Sequence, residues 1–169
     1  RNALSAELIE RLIEGIAEAH AGGARVLVFR GAGSNFSAGF DFTDYEKQSE
    51  GDLVLRFVRI ECLLQTIASS PCVTLAFAHG RNFGAGVDLF AACRHRVAAQ
   101  GTAFRMPGLK FGLVLGTRRF AAIVGAAKAR AILETTRSFG AEEALDMGFL
   151  HRIAEEDRWA AEIGEGLTR

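Results

Sequence analysis

The stretch "HGRNFGAGVDLFAAC" (residues 79–93) decides the fold that this sequence predicts. It follows "CVTLAFA" (72–78), a short apolar run of the kind that forms a buried strand. The chain then turns through Gly84, Ala85 and Gly86, and "GVDLFAAC" has the pattern of a helix. A strand that ends in a glycine-rich turn and continues into a helix is typical of α/β proteins.

The same arrangement occurs earlier in the chain. The apolar run "RVLVFRG" (25–31), which predicts another buried strand, precedes "SNFSAGFDF" (34–42), with its turn at Ser37-Ala38-Gly39-Phe40. In α/β proteins, ligands bind beyond the carboxyl ends of such strands. We therefore expect "VLVF" and "VTLAF" to be adjacent parallel strands whose two turns lie at the same end.

The remaining segments alternate in the same way. "SAELIERLIEGIAEAH" (5–20) predicts an amphipathic helix that Ser5 caps, and "DLVLRFVRIECLLQTIAS" (52–69) predicts a second helix, which ends before Pro71. Further short elements are predicted in "RHRVAA", "GAAKARAILET", "AEEALDMGF", "HRIAEE" and "DRWAAEIGEGL". The pattern predicts an α/β fold with parallel pairing and a layer of helices, as one domain over residues 1–169.

Composition excludes several classes of function. The 169 residues are 49% hydrophobic and 24% charged, so the chain can bury a full core. The formal net charge is zero with interspersed signs, which argues against a nucleic-acid partner. No apolar run has the roughly 20 residues that cross a bilayer, so we expect a cytoplasmic protein without a membrane partner. The three cysteines, expected to be buried thiols, lack C-x-x-C spacing, so no metal site is predicted.

Glycine turns after strands often cradle phosphates, but the two turns do not match those motifs. "GAGSNF" has Phe36 and "GAGVDL" has Leu89 where a dinucleotide-binding loop needs its third glycine. Gly-Lys-Ser/Thr, the end of a phosphate-binding loop, is absent from the sequence. The backbone amides of the two turns could instead converge on one oxygen, as in an oxyanion hole for acyl chemistry.

Four stretches carry a family resemblance: "NALS" (2–5), "FSAGFD" (36–41), "HGRNFGAGVDLFAAC" and "FRMPGLKFGLV" (104–114). In this order they resemble the successive motifs of the crotonase family, the enoyl-CoA hydratases and isomerases. The resemblance implies a crotonase-like ββα spiral without the family's initial hairpin and its C-terminal helices. It also implies an acyl-CoA substrate, no cofactor beyond the coenzyme A of that substrate, and a homotrimer or dimer of trimers.

The resemblance assigns roles to the two turns. Phe40 and Ala85 match the residues whose backbone N–H groups donate to the thioester carbonyl. Ala38 matches the position whose carbonyl meets the adenine of coenzyme A, and Gly39 and Gly84 belong to the same coenzyme A-binding turns.

Two further positions match the acid and base residues of the family. Asp88 stands where hydratases of the family carry their first glutamate, and Gly108 stands where they carry the second. The resemblance therefore implies Asp88 as the acid or base and makes two-glutamate hydration unfavourable. Isomerisation, decarboxylation or another enolate reaction stays open. If only the second carboxylate is missing, Gly108→Glu combined with Asp88→Glu should restore hydration.

Each of these residues also has a simpler interpretation. Asp88 could only favour the helix dipole, and Asp41 is expected to be a structural cap. Arg118 and Arg119 are expected on a solvated helix face, and Ser37 lacks the partners of a nucleophile. The alternative function is therefore a catalytically weak or inactive relative that binds acyl-CoA or serves assembly.

Overall fold

Strands and helices alternate along the computed structural model, which describes residues 1–166. In chain order the elements are β1 (Ala3–Leu4), α1 (Ala6–Ala21), β2 (Val26–Arg30), β3 (Gly39–Phe40), α2 (Glu50–Ala68), β4 (Val73–Ala78), β5 (Arg81–Phe83), α3 (Ala85–Ala92), β6 (His95–Ala98), β7 (Ala103–Arg105), α4 (Thr117–Val124), α5 (Ala126–Thr135), β8 (Ser138–Gly140), α6 (Ala141–Asp146), β9 (Arg152–Ile153) and α7 (Trp159–Gly166). The predicted α/β class is confirmed.

A four-stranded parallel sheet in the order β2-β4-β6-β9 forms the centre of the fold. β2 pairs with β4 from Val26 opposite Val73 to Arg30 opposite Phe77, so the predicted adjacency of the two strands is confirmed. The prediction that both strands are buried is wrong for β2, where Val28 is 39% exposed. The reason is that β2 lies at the edge of the sheet, whereas β4 has a neighbour on each side.

Five short strands form two smaller sheets that the sequence did not predict. β5 and β7 run parallel, and β8 lies antiparallel to β7. β1 pairs with β3, which places Leu4 opposite Phe40. Strands of two or three residues are too short to show a hydrophobic period, so they leave no clear pattern in the sequence.

The predicted helices are present with small changes at their ends. α1 begins at Ser5, whose hydroxyl accepts a hydrogen bond from the Leu8 N–H (3.1 Å). α2 begins with a reciprocal cap between Ser49 and Asp52. α3 starts one residue earlier than predicted, and α7 covers "DRWAAEIGEGL" only from Trp159 to Gly166. Leu167, the last residue of that prediction, lies outside the described residues.

Hydrophobic side chains pack on both faces of the central sheet. Ala76 and Ala78 of β4 point into the larger core. That core contains a connected cluster of five phenylalanine rings, in which each ring contacts Phe149 or Phe139: Phe90, Phe104, Phe120, Phe139 and Phe149. Leu75 and Phe77 point the other way, where Trp159 at the start of α7 covers them. Within residues 1–166 no helix is long and apolar enough to cross a membrane.

The three cysteines do not share one environment. Cys72 and Cys93 are buried, as predicted, but Cys62 is exposed on α2. The helical period accounts for this exposure, because Cys62 lies on the solvent side of the helix while Leu63 and Leu64 are buried.

Candidate active site

A cavity of about 100 Å³ lies where the two glycine-containing turns meet. Its lining includes six of the residues predicted for the site: Ala38, Phe40, Gly84, Ala85, Asp88 and Gly108. The seventh, Gly39, is buried directly against the second turn, since a Cβ on Gly39 would overlap the carbonyl oxygen of Phe83. The fold therefore brings together all seven predicted residues, which are far apart in the sequence.

Asn82 joins the two turns, and sequence reasoning gave it no role. Its side chain is completely buried, and its carboxamide oxygen accepts hydrogen bonds from the N–H groups of Phe36 (3.0 Å) and Ser37 (3.1 Å). Its amide nitrogen donates to the carbonyl oxygen of His79 at 3.2 Å. The one available signal was a lone asparagine between an apolar strand and a glycine turn, where amide side chains often bond to the backbone.

Ser37 has a structural role in the first turn. Its buried hydroxyl donates to the carbonyl oxygen of Asn2 (2.8 Å) and accepts from the N–H of Gly39 (3.1 Å). Gly86 packs so closely that an added Cβ would lie 2.6 Å from the Cβ of Ser37. These contacts fit the expectation that Ser37 is not a nucleophile.

The turn that carries Phe40 packs against the start of α3, where Ala85 lies. Ala85 is the first residue of that helix, so its N–H has no partner within the helix. Gly39 adopts a positive φ of 83°, and a Cβ there would lie only 3.4 Å from the Ala85 nitrogen. Phe40 follows Gly39 and lines the same cavity. The positive end of the α3 dipole thus reaches the place where the two turns touch.

Asp88 is the one carboxylate in the cavity lining, and it lies in the first turn of α3. The side chain is 4% exposed, and its Oδ1 has no hydrogen-bond partner among the described residues. Burial raises the pKa of Asp88 to about 7, while nearby Arg119 lowers it and Glu61 raises it further. A carboxyl group with a pKa near neutrality can both take up and return a proton.

The turn before α4 covers the Asp88 carboxylate. Gly116 has a left-handed conformation (φ 58°), and a Cβ at this position would overlap the carboxylate. Arg119 of α4 forms an ion pair with Glu61 of α2 at 3.3 Å. The expectation of a solvated helix face is therefore right for exposed Arg118 and wrong for Arg119, which turns inward toward Glu61.

Gly108 lies at the cavity without a group that could carry a proton. A Cβ built on it would be 3.0 Å from the carbonyl oxygen of Leu113, so the space there is tight. The remaining lining is almost entirely apolar: Phe42, Phe57, Phe83, Met106, Pro107, Leu109, Phe111, Leu113, Leu115 and Leu133, with Thr117 as a further polar residue. The cavity suits an apolar ligand next to a single carboxylate.

Asp41 lies just after the first turn and acts as a local cap. Its carboxylate accepts the backbone N–H of Thr43 at 3.0 Å, and that hydrogen bond lowers the pKa of Asp41. Among residues 1–166, no group of three or more His, Cys, Asp or Glu side chains is arranged to hold a metal ion.

Comparison with known proteins supports an acyl-CoA enzyme. A family model described as Enoyl-CoA hydratase/isomerase matches residues 1–165. The "Probable enoyl-CoA hydratase echA6" of Mycobacterium tuberculosis is 35% identical over 96% of this chain and 68% of its own length. A "Probable enoyl-CoA hydratase" of Bacillus subtilis is 30% identical over 99% of this chain and 67% of its own length.

Solved structures agree with these sequence relatives. A crystal structure described as an enoyl-CoA hydratase/isomerase, from Bordetella parapertussis, has a TM-score of 0.95 and 63% identity over 97% of this chain and 69% of that one. Enoyl-CoA hydratase from Bacillus anthracis, at 24% identity, shows the same fold, with a TM-score of 0.91 over 98% of this chain and 67% of that one. The chain thus spans about two thirds of the length of these proteins, and the fold expected from the four motifs is confirmed.

Proposed function

The chain belongs to the enoyl-CoA hydratase/isomerase family, and from that premise we propose that it moves a proton within a bound, unsaturated acyl-CoA. The observation that carries the proposal is the contact between the two turns beside a buried Asp88. In this arrangement Phe40 and Ala85, the proposed backbone donors, and Asp88, the proposed proton acceptor, line the same small cavity.

The proposed reaction begins when the thioester carbonyl oxygen accepts hydrogen bonds from the N–H groups of Phe40 and Ala85. Asp88 then removes a proton from the α-carbon of a 3-enoyl thioester, and the electrons of the C–H bond pass into the carbonyl to form an enolate. The two donors and the positive end of α3 stabilise the charge on that oxygen. The enolate collapses as the γ-carbon takes the proton back from Asp88, which gives the 2-enoyl thioester and restores the carboxylate.

Isomerisation fits the site better than hydration does. Hydration needs one group to activate water and another to manage the α-proton, and each such group typically contributes about 10²- to 10⁴-fold in rate. Gly108 offers no group of this kind, whereas a single carboxylate with a pKa of about 7 suffices for a proton shuttle. The apolar lining further favours an acyl group without charged substituents.

Rates and binding measured on one panel of thioesters test the proposal. The native protein should isomerise 3-enoyl-CoA faster than it hydrates crotonyl-CoA. Asp88→Asn should lose roughly 10²- to 10⁴-fold in turnover while thioester affinity changes little. Binding without turnover by the native protein would instead support the alternative of an inactive relative, and absence of binding would contradict both.

We also propose that the protein assembles into trimers, or into dimers of trimers. Several large apolar side chains are exposed and would be covered in an assembly: Val54, Leu55 and Val58 on α2, with Phe111 and Val114 before α4. Exposed apolar patches are typical of protein interfaces. Light scattering that shows a stable monomer would contradict this proposal.

A further inference from the structure

Arg56 is a buried arginine on α2 whose contacts converge on the first turn of the site. Its side chain is 7% exposed, and no carboxylate among the described residues forms an ion pair with it. Burying a guanidinium costs free energy unless hydrogen bonds compensate. The contacts that do compensate therefore indicate what this residue holds in place.

Those contacts hold the Phe40 side chain and the backbone of the residue that follows it. The guanidinium carbon lies 4.0 Å from the centroid of the Phe40 ring. Nη2 donates to the carbonyl oxygen of Asp41 at 2.7 Å, and Nη1 donates to Oε1 of Gln48 at 3.1 Å. From the same helix, the Phe57 ring stacks on Phe40 with 4.9 Å between centroids.

We propose that Arg56 is a positioning residue that fixes the direction of the Phe40 N–H toward the thioester oxygen. The inference rests on the proposed function, in which that N–H is a donor. Because Arg56 holds the Phe40 ring and the Asp41 carbonyl, it restrains the segment that directly follows the peptide between Gly39 and Phe40. Fixed direction matters because misplacement by about 1 Å can cost roughly 100-fold in rate.

The positioning role and a purely stabilising role of Arg56 make different predictions. Nε of Arg56 has no hydrogen-bond partner among the described residues, so the guanidinium is incompletely satisfied. A purely stabilising role predicts a loss of stability on substitution, with no change in how a bound thioester carbonyl is polarised. A positioning role predicts that this polarisation changes as well.

The test measures how strongly the protein polarises the carbonyl group of a bound thioester. A conjugated 2,4-dienoyl-CoA absorbs at longer wavelength when strong hydrogen bonds polarise its carbonyl, so its spectrum reports the donors in the bound state. Arg56→Met removes the charge and the hydrogen-bond donors but keeps a long, unbranched side chain. Arg59→Met, on the same helix, is the control, since Arg59 is exposed and pairs with Glu10 at 2.7 Å away from the cavity.

The native protein and Arg59→Met should show the same red shift. Arg56→Met should lose most of that shift, and its kcat should fall about 10- to 100-fold with a small change in KM. A full shift and an unchanged kcat in folded Arg56→Met would overturn the inference while leaving the proposed function intact. A native protein that binds the probe without any shift would overturn both.

A second variant keeps the test decisive if Arg56→Met does not fold. Gln48→Ala removes one acceptor of the guanidinium but keeps its charge and its contact with the Phe40 ring. It should lose part of the red shift, with circular dichroism confirming that the protein is folded. A folded Gln48→Ala protein with the complete native shift would contradict the positioning role.

Discussion

At the scale of single residues, the Asp88 carboxylate is completely enclosed, and burial raises its pKa from 3.8 to about 7. Between these values the folded chain binds more protons than the unfolded chain does. The Asp88 contribution to stability is therefore fully present below about pH 4 and is lost as the pH rises through about 7. The pKa shift of Asp88 corresponds to roughly 4 kcal/mol in the free energy of unfolding, since each tenfold change in proton affinity is worth about 1.4 kcal/mol.

Asp88→Asn should remove this pH dependence. Between about pH 5 and about pH 8, the native protein should lose stability that the variant keeps. The difference in the free energy of unfolding should therefore shift in favour of the variant by up to roughly 3 kcal/mol. Urea denaturation at the two pH values measures the difference. Asp146→Asn, which changes an exposed carboxylate at the end of α6, is the control. Equal pH dependence in native and Asp88→Asn proteins would contradict the burial argument.

Gly116 and Gly112 form a matched pair in the turn before α4. Both have positive φ, 58° and 69°, but a Cβ on Gly112 meets nothing within 4 Å, whereas one on Gly116 would overlap Asp88. Gly112→Ala should lower the free energy of unfolding by about 1 to 2 kcal/mol, through backbone strain alone. Gly116→Ala should destabilise the protein more and should also lower the proposed isomerase turnover at least about tenfold, because the Asp88 carboxylate must move. Similar stability and turnover in the two variants would show that the Gly116 contact is unimportant.

The structure changes the design that would restore hydration. Asp88→Glu adds a methylene where Gly116 already abuts the carboxylate, so we expect this substitution to impair the site. Gly108→Glu alone places a second carboxylate at the cavity once Leu113 shifts by a few tenths of an ångström. It should raise hydration of crotonyl-CoA at least about tenfold. Gly51→Glu, at an exposed glycine of α2, controls for the added charge, and an equal rate in the two variants would reject the design.

At the scale of elements, the donor that we propose at the start of α3 is the backbone N–H of Ala85, which no replacement of the side chain alone removes. Ala85→Pro deletes the N–H, and proline is well tolerated at the first position of a helix. Thioester turnover should fall about 10²- to 10³-fold, as for the loss of one oxyanion donor. Ala126→Pro makes the same change at the start of α5, which also follows a glycine, and should leave turnover unchanged. Retained turnover in folded Ala85→Pro would exclude this amide as a donor.

The elements differ in how well the sequence predicted them. α1 and α2 have caps and apolar periods that act within a few residues, so their sequence stretches predict them almost completely. β2 has the same apolar run as a buried strand, and only the order of the sheet reveals that it is an edge. β5, β7 and β8 become strands because neighbours distant in sequence pair with them.

At the scale of the whole molecule, α7 closes the second face of the central sheet. Trp159 is completely buried, its ring centroid lies 5.1 Å from that of Phe77, and its Nε1 donates to the carbonyl oxygen of Ala154 at 2.8 Å. The active-site cavity lies among other elements and does not include these residues. Trp159 therefore stabilises the central sheet without contributing to the lining of the cavity.

Trp159→Ala should destabilise the fold by about 3 to 5 kcal/mol because it leaves a large cavity next to β4. Trp159→Phe keeps much of the ring and should cost less, mainly the lost hydrogen bond to Ala154 at about 1 kcal/mol. The urea midpoints of the two variants measure these losses of stability. The folded fraction of each variant should have the same kcat as the native protein. A loss of kcat without a loss of stability would show that this face takes part in the reaction.

The sequence by itself determined the α/β class, the main helices, the two turns and six of the residues that line the cavity, because these depend on local pattern and on motifs that lie in consecutive segments. Only the tertiary structure decided how those residues act. Asn82 joins the turns, Arg56 contacts Phe40, and the Gly116 turn covers Asp88. Each contact joins segments that are separated along the chain, so no pattern in either segment alone reveals it. The pKa of Asp88 is a tertiary property for the same reason, since desolvation depends on everything packed around the carboxylate and not on its neighbours in sequence.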